Sequence, residues 1–574
     1  MRSDVHRRGT AGPVAALLSA LLLSACEASP VEETSSQEDL GSGTSAVRTA
    51  ADPTTITLAF AGDVHFEGAL TGEPRRPGAT LGPMSQALRA ADLAVVNLES
   101  AITTRGSPAR KELEAPTDRY WFRSAPAALG VLARSGVDVV TVANNHGADY
   151  GVPGIRDTLR AAASAPVGVI GVGLDEEQAY APHRVSVRGT EVAVLAADAS
   201  RRESADPAWA VAPGSGPGLA SARGPRAEQL VASVRAAAAE DDVVGVYLHW
   251  GEESNACPTT HQQSLSRLLS DAGADVVVGS HAHVPLGAGM LDGTYVSYGL
   301  GNFYWYHGHR SETGVLQVSL RAGEVVDDTW TPALIPTAGG DPQPLRGTAR
   351  DDAVADWRSL RGCTDLAPGP GARAQDAAGA ALPAFASTVR RIGPALRRTM
   401  TSHDPATCPV PLADLRHLTL SYVGFDGRSY RGQLVVAAEV ASDVLSVFAA
   451  LYESRFPIQR MRLIDAYDGD DELSMAANNT SAYNCRTVAG TDRWSDHAYG
   501  RAIDINPLQN PYVVGETVLP RAGRAFVSVD RTRGARTPAG VIHEGDVAHR
   551  AFERLGWSWG GFYTDPDYQH FSAP

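Results

Sequence analysis

Five apolar runs in the first half of the chain each end in side chains that bind metals, and this constrains the fold more than any other feature. Residues 55–61 run into Gly62-Asp63-Val64-His65, and 93–96 end in Asn97-Leu98-Glu99. Residues 137–142 lead to Asn144-Asn145-His146-Gly147-Ala148-Asp149-Tyr150-Gly151. Residues 243–248 end at His249-Trp250-Gly251, and 276–278 end at Gly279-Ser280-His281-Ala282-His283. Helix-like segments alternate with these runs, the pattern of an α/β layered domain. In open α/β sheets ligands bind beyond the carboxyl ends of the strands, so these groups are expected to converge. One histidine at a strand end is usually a satisfied core residue. Asp-x-His, Glu, Asn-His, His and His-x-His in this order supply enough oxygen and nitrogen ligands for two divalent ions. Such a pair, about 4 Å apart, can clamp a phosphoryl group and activate a bridging water.

A second constellation lies near the C-terminus. In Ser495-Asp496-His497-Ala498-Tyr499-Gly500-Arg501-Ala502-Ile503-Asp504 a histidine and an aspartate stand seven apart with a glycine between them. The spacing predicts a loop entering a short strand, which aims an imidazole and a carboxylate at one point. Asp567-Tyr568-Gln569-His570 adds a second histidine and another carboxylate. Two His and one Asp make a three-ligand zinc site whose fourth position is open to water.

At 574 residues the chain is too long for one ordinary domain. With 43% hydrophobic and 20% charged residues it is globular. A net charge of −15 with no basic stripe argues against nucleic acid as a partner. Arg2, Arg7 and Arg8 precede a short apolar run and Leu23-Ser24-Ala25-Cys26. That run is too short to span a membrane and reads as a secretory signal, and no other run of about 20 apolar residues exists. Residues 27–53, rich in Ser, Thr, Glu and Gly, read as a flexible spacer. Cys257, Cys363, Cys408 and Cys485 remain, an even number that suggests two disulfides with three possible pairings. Pairing within each half would join Cys257 to Cys363 and Cys408 to Cys485.

In the second half, 415–423 is expected as a strand. Val444, Val447, Phe448 and Leu451 mark an amphipathic helix with Ser442 as its N-cap. Residues 461–464 and 503–505 are expected as strands and 547–555 as a last helix. Between the halves, Pro, Gly and Ala over 367–381 indicate a linker, and Val389, Ile392 and Leu396 at helical spacing predict a bridging helix within 384–400.

Ser495-x-His497-x-x-Gly500-x-Ala502-x-Asp504 with the late Asp567-x-x-His570 resembles the zinc peptidases of the D-alanyl-D-alanine carboxypeptidase family. That branch includes phage-type L-alanyl-D-glutamate endopeptidases. The stretch Asn478-Asn479-Thr480-Ser481-Ala482-Tyr483-Asn484-Cys485-Arg486 and Trp557-Ser558-Trp559-Gly560-Gly561 fit the same family, and the resemblance runs from about Cys408 to the end. It implies zinc on His497, Asp504 and His570, with Asp567 as general base. Arg486 would hold the oxyanion or a substrate carboxylate. Cys26 after Leu-Ser-Ala resembles a bacterial lipobox, in which the thiol is acylated.

The order of the first-half motifs resembles the calcineurin-like metallophosphatase superfamily, in particular the CapA proteins of poly-γ-glutamate capsule synthesis. It is carried by Asn97-Leu98-Glu99, Ala143-Asn144-Asn145-His146, His249-Trp250-Gly251, the Gly-x-His-x-His variant at 279–283 and Gly301-Asn302-Phe303, over about 54–337. By that resemblance Asp63, His65, Glu99 and His283 hold one metal, and Glu99, Asn145, His249 and His281 the other. His146 stands beside the substrate as an acid. The metals implied are one or two of manganese, zinc, iron or magnesium. Two departures bear on the count: Glu99 stands where most such phosphatases have the shorter aspartate, and Ser280 sits inside the usual Gly-His-x-His. One metal, or ligand binding without turnover, is therefore an alternative.

The expected organisation is a lipoprotein signal at 1–26, a spacer at 27–53, a CapA-like domain at 54–345, a linker at 346–407 and a zinc peptidase domain at 408–574. The fold class is a metallophosphatase-like α/β layered β-sandwich flanked by helices, plus a smaller α+β unit. The function expected is that of a lipid-anchored protein on the outer face of the bacterial cytoplasmic membrane. It would hydrolyse D-amino-acid-containing peptidoglycan stem peptides, with poly-γ-glutamate or another anionic polymer as a second partner. Two rivals fit the same residues: a polymer-binding protein with a non-catalytic first domain, and a metal-dependent phosphoesterase or poly-γ-glutamate-processing enzyme.

Overall fold

The strand Thr55–Val64 shows why the first half folds as it does. Ile56, Leu58 and Phe60 face one way, Ala59 and Ala61 the other, and all are buried. Burial on both faces marks a strand covered from both sides. Its larger side chains meet Val192, Val194, Tyr247, Val276 and Val278 of a second sheet. Its alanines lie with Leu129, Leu132 and Ile155 of the helices Ala128–Arg134 and Gly151–Ala162.

This is a computed structural model, and it describes residues 55–111, 119–200, 216–309, 311–371 and 382–574. The expected signal, Cys26 and the spacer 27–53 lie outside the described residues. Among the described residues no helix is long and apolar enough to cross a membrane.

The first sheet has eight strands. Thr55–Val64, Leu93–Leu98, Val139–Thr141 and Gly168–Ile170 run parallel, and Glu312–Arg321 and Glu324–Leu334 extend the sheet antiparallel. The second sheet has six, with Thr190–Asp198, Val243–Trp250 and Val276–His281 parallel at its centre. Helices Ala227–Ala238 and Thr260–Asp271 cover its outer face through Leu230, Val234, Leu265 and Leu269. The arrangement is helix, sheet, sheet, helix.

In the second half, Ser387–Arg391, Leu415–Val423 and Ser429–Ala437 form an antiparallel sheet. Helix Ala441–Glu453 lays Val444, Val447, Phe448 and Leu451 into the same core. A small sheet of Ala502–Asp504, His570–Ser572 and Ser558–Trp559 shares that core through Ile503, Phe571 and Trp559. Phe552 of helix Val547–Glu553 stacks on Phe571 at 4.0 Å.

Several local expectations need correction. The bridging helix within 384–400 is instead the strand Ser387–Arg391 and the short helix Pro394–Thr399. β-Branched Thr388 and Val389 pair with Thr419 and Leu418, and Pro394 starts the helix at a position where its missing N–H costs nothing. The expected strand at 461–464 is replaced by a 3₁₀ turn at Ile464–Tyr467. Ser442 is not an N-cap: the helix begins at Ala441, and the Ser442 carbonyl accepts from Ser446 Oγ at 3.0 Å.

Much of the stretch expected as a linker is built structure. Helix Gly347–Ser359 stacks Trp357 on Trp330 of the first half, rings 5.2 Å apart and 5° from parallel. The same helix meets the second half through an Arg462–Asp356 ion pair and a Gln459 Nε2 to Ser359 Oγ hydrogen bond of 3.0 Å. Glu312 of the first half pairs with both Arg460 and Arg462. The described residues from Thr55 onward thus pack as one compact unit. Cys257 is bonded to Cys363 and Cys408 to Cys485, with Cα separations of 5.7 and 5.8 Å.

Where Thr55–Val64 delivers Asp63, Gly62 lies against the backbone of Gly301, and a Cβ there would stand 1.8 Å from the Gly301 carbonyl oxygen. Backbone cannot step aside as a flexible side chain can. Gly62→Ala should therefore cost about 2–3 kcal/mol, the range of overpacking substitutions, read as a lower urea midpoint of the full chain.

Candidate metal centres

In the first half the strand ends do converge. Glu99, His249 and His281 form one group of potential ligand atoms and Asp63, Glu99 and His283 another, so Glu99 belongs to both. All five side chains are buried. Glu99 Oε1 lies 3.6 Å from His249 Nε2 and 3.9 Å from His146 Nε2, and neither Glu99 oxygen makes a hydrogen bond. Burial first, and the Asp63 charge second, push the Glu99 carboxyl well above its usual range. Burial and the neighbouring His281 push His249 well below its own.

A buried carboxylate without hydrogen bonds, facing imidazole nitrogens, is what a divalent cation satisfies, and oxygen with imidazole suits zinc, manganese or iron. These residues fit such an ion.

Amides hold the ligands in place. Asn97 Nδ2 donates to Asp63 Oδ1 at 2.8 Å, and Asn144 Nδ2 donates to Asn97 Oδ1 at 2.9 Å. Asn302 Oδ1 accepts from His283 Nδ1 at 2.8 Å, and Asp63 Oδ2 accepts from the His281 N–H at 3.1 Å. His281 and His283 both have positive φ, 95° and 58°, strain that persists where surroundings over-determine the backbone.

The two remaining expected ligands differ in placement. Asn145 approaches through its amide oxygen, 2.8 Å from His249 Nε2. His65 is in neither group. Its ring packs against Trp305 at 4.1 Å, and its Nε2 accepts from the Tyr306 N–H at 3.3 Å.

His146 Nδ1 bonds Asp149 Oδ2 at 2.6 Å, and Asp149 Oδ1 pairs with Lys111 Nζ at 2.8 Å. Asp149, three residues after His146, was visible in the sequence as a neighbour. Lys111, 35 residues earlier, gave no signal there.

The second centre is smaller. His497 comes from the 3₁₀ turn Asp496–Tyr499, Asp504 from the strand Ala502–Asp504 and His570 from the strand His570–Ser572. Gly500 ends the turn at φ 68° with no room for a Cβ, which would stand 2.6 Å from Ala437 N. Asp504 and His570 sit opposite each other in the antiparallel ladder. His497 Nε2 is 3.1 Å from Asp504 Oδ2 and 3.2 Å from His570 Nδ1, and His570 Nδ1 is 3.0 Å from Asp504 Oδ1. Tetrahedral ligands about 2.0–2.1 Å from zinc stand about 3.3 Å apart, so two imidazole nitrogens with either oxygen of Asp504 at this spacing suit that ion. His497 Nδ1 donates to the Ala482 carbonyl at 2.6 Å, which leaves Nε2 as the bare nitrogen.

Burial opposes the Asp504 charge, yet His497 and His570 outweigh it and hold the carboxylate far below its usual range. His570 loses by burial and gains more from Asp504, ending at about 9.

Asp567 stands beside this triangle. Burial and then the Asp504 charge push its carboxyl up to about 7, and its Oδ1 has no hydrogen bond. Gly560 makes the room, since a Cβ there would meet the Asp567 carbonyl at 2.5 Å and His570 Cβ at 3.2 Å. Arg486 is tied elsewhere: its guanidinium pairs with Asp471 at 2.6 Å. Glu544, the next carboxylate to consider as a base, is paired with Arg533 at 2.8 Å. A cavity of about 660 Å³ opens beside His281 of the first centre. Its walls are Gly251–Asn255 of the first half and Glu472, Met475 and Leu519–Ala522 of the second.

Two outcomes follow for the chelator-treated protein. Glu99→Gln keeps the shape and removes a carboxyl that is disfavoured as an anion. Its melting temperature should be no lower than wild type at neutral pH, while divalent metal bound per chain falls. For Asp567 the folded value of about 7 lies above the usual 3.8, so the folded chain holds the extra proton between them. The stability this contributes is complete below about pH 4 and lost as pH rises through about 7. Between pH 5 and 8 the wild type should lose more thermal stability than Asp567→Asn.

Comparison with known proteins places these centres. The model of the bacterial capsule synthesis protein PGA_cap matches residues 57–306, and that of D-alanyl-D-alanine carboxypeptidase matches 489–573. The PGA biosynthesis protein CapA of Bacillus subtilis (strain 168) is 30% identical over 261 residues, 44% of this chain and 64% of that protein. The capsule biosynthesis protein CapA of Bacillus anthracis is 31% identical over 190 residues, 33% of this chain and 45% of that protein. The chain thus spans less than two thirds of either relative's length. Among solved structures, a hypothetical protein from Thermus thermophilus aligns over 49% of this chain and 100% of its own at 18% identity, with a TM-score of 0.32. Glu99 and its neighbours therefore lie in the segment that matches the PGA_cap model, and His497, Asp504 and His570 in the segment that matches the D-alanyl-D-alanine carboxypeptidase model.

Proposed function

We propose that this is a bacterial cell-surface hydrolase whose second half is a zinc peptidase acting on peptidoglycan stem peptides that contain D-amino acids. The observation that carries the reading is the triangle of His497, Asp504 and His570 with Asp567, at about 7, beside it. The family match over 489–573 supports a metallopeptidase. A bound zinc supplies Lewis acidity, lowering the pKa of a water towards neutrality and polarising the scissile carbonyl. Asp567 takes the proton from the attacking water and returns it to the leaving amine, work for which a carboxyl near neutral pKa is suited. Arg486, steadied by Asp471, is assigned to a substrate carboxylate.

For the first half we propose a CapA-like metal centre on Asp63, Glu99, His249, His281 and His283, with Asn145 beside His249 and His65 packed next to it. His146, oriented by Asp149, faces the substrate as an acid. The hydrogen-bond-free oxygens of Glu99 favour a metal-holding centre over a purely structural one. Its partner would be an anionic surface polymer such as poly-γ-glutamate, in line with the names of the Bacillus relatives. An exported, lipid-anchored form through Cys26 completes the proposal.

Mass spectrometry of defined muropeptides incubated with the full chain, with and without chelator, tests the peptidase reading. Release of D-alanine, or cleavage between L-alanine and D-glutamate, should require zinc. Asp567→Ala should keep zinc while kcat falls about 10²–10⁴-fold, the usual contribution of a positioned base. His570→Ala should lose zinc and activity together. Zinc release by Asp567→Ala would make that residue a ligand instead.

A further inference from the structure

Among the three ligands of the second centre, His570 is the one whose outer nitrogen meets no backbone group. His570 Nε2 lies 2.7 Å from Ser572 Oγ, and Ser572 Oγ donates to Asp496 Oδ2 at 2.9 Å. The donor order in this chain is settled by charge. Asp496 as a carboxylate accepts only, so the Ser572 proton points to it. The serine lone pairs then face His570, so Nε2 carries the hydrogen and Nδ1 is left bare. Nδ1 is the atom that faces His497 Nε2 at 3.2 Å and Asp504 Oδ1 at 3.0 Å.

The fold makes this arrangement local. His570 and Ser572 are two apart on one strand and so share a face. Asp496 and His497 are consecutive in the 3₁₀ turn that Ser495 caps. Each of the two segments therefore supplies one metal-facing nitrogen, and together they supply the outer support of His570. The Ser572 side chain is buried and Asp496 is exposed, so the chain of bonds runs from the ligand to the surface.

We infer that Ser572 and Asp496 are positioning residues for the second metal centre, acting through His570: they fix its tautomer and ring so that Nδ1 faces the ion. The inference rests on the zinc reading of that centre. Outer partners of metal-bound imidazoles are worth about 10–100-fold in metal affinity. Because Ser572 and Asp496 act in series, their removals should not add.

The test is zinc affinity of the full chain by competition with a chromophoric chelator, with circular dichroism to confirm folding. Ser572→Ala and Asp496→Ala should each weaken zinc about 10–100-fold, and the double variant should be no weaker than Ser572→Ala alone. Ser572→Thr keeps the hydroxyl and should recover most of the loss, whereas Ser572→Val, similar in shape, should not. Asp496 is exposed, so its variant keeps the test open if Ser572→Ala fails to fold. Wild-type affinity in folded Ser572→Ala or Asp496→Ala, additive losses in the double variant, or equal losses in the Thr and Val variants would overturn the inference while leaving the zinc reading intact. A wild-type chain that takes up no zinc would overturn the zinc reading itself, and the inference with it.

Discussion

Burying a carboxylate is costly unless hydrogen bonds or an opposite charge meet it, and Glu99 is buried with neither oxygen hydrogen-bonded. The first half is arranged around that cost. Parallel strands from two stacked sheets end beside Glu99, and their terminal side chains are imidazoles, amides and one further carboxylate. Asp63 shows the contrast. It too is buried, and burial opposes its charge, but His283 beside it, with Ser280 and Asn97, outweighs that and holds its carboxyl below the usual range. Two carboxylates in one site are thus driven in opposite directions. The difference is His283 and the hydrogen bonds that favour only Asp63, against the neighbouring acidic charges that Glu99 meets.

The second centre reaches a similar chemistry with far less structure. A 3₁₀ turn and two short antiparallel strands bring two imidazole nitrogens and the Asp504 carboxylate to contacts of 3.0–3.2 Å. Asp504 opposite His570 in the ladder sets one edge of the triangle, and the glycine that ends the turn sets the other by letting it pass close to Ala437. Asp567 is raised by the same Asp504 charge that the two histidines stabilise. One anion therefore both holds the cation site and keeps its neighbour close to neutral pKa.

The two centres do not belong to separate bodies. Trp357 on Trp330, Asp356 on Arg462 and the Cys257–Cys363 bond tie helix Gly347–Ser359 and its continuation to both halves, and Glu312 joins the halves directly through Arg460 and Arg462. Walls from the two halves enclose the cavity beside His281. The short helix Asp471–Ala476 contributes Met475 to that cavity and Asp471 to the ion pair with Arg486.

The candidate metal-facing side chains were legible in the sequence because they follow from side-chain chemistry at strand ends and from the close spacing of His497 to Asp504. The two-faced burial of the first strands was also legible, since near-continuous apolar runs admit little else. Partnership over distance was not. Lys111 on Asp149, Asn302 on His283 and the Ala482 carbonyl on His497 join residues far apart in the chain, and no local pattern encodes such pairs. The aromatic packing that leaves His65 outside both ligand groups was equally invisible, because Trp305 arrives from a distant strand end. Nor was the partner of Arg486, which pairs with Asp471, visible in the sequence. The sequence by itself determined which atoms can bind a cation. Tertiary structure decided which of them face one another and which are already satisfied, because a hydrogen bond or ion pair depends on distances of a few ångströms that only the packed chain defines.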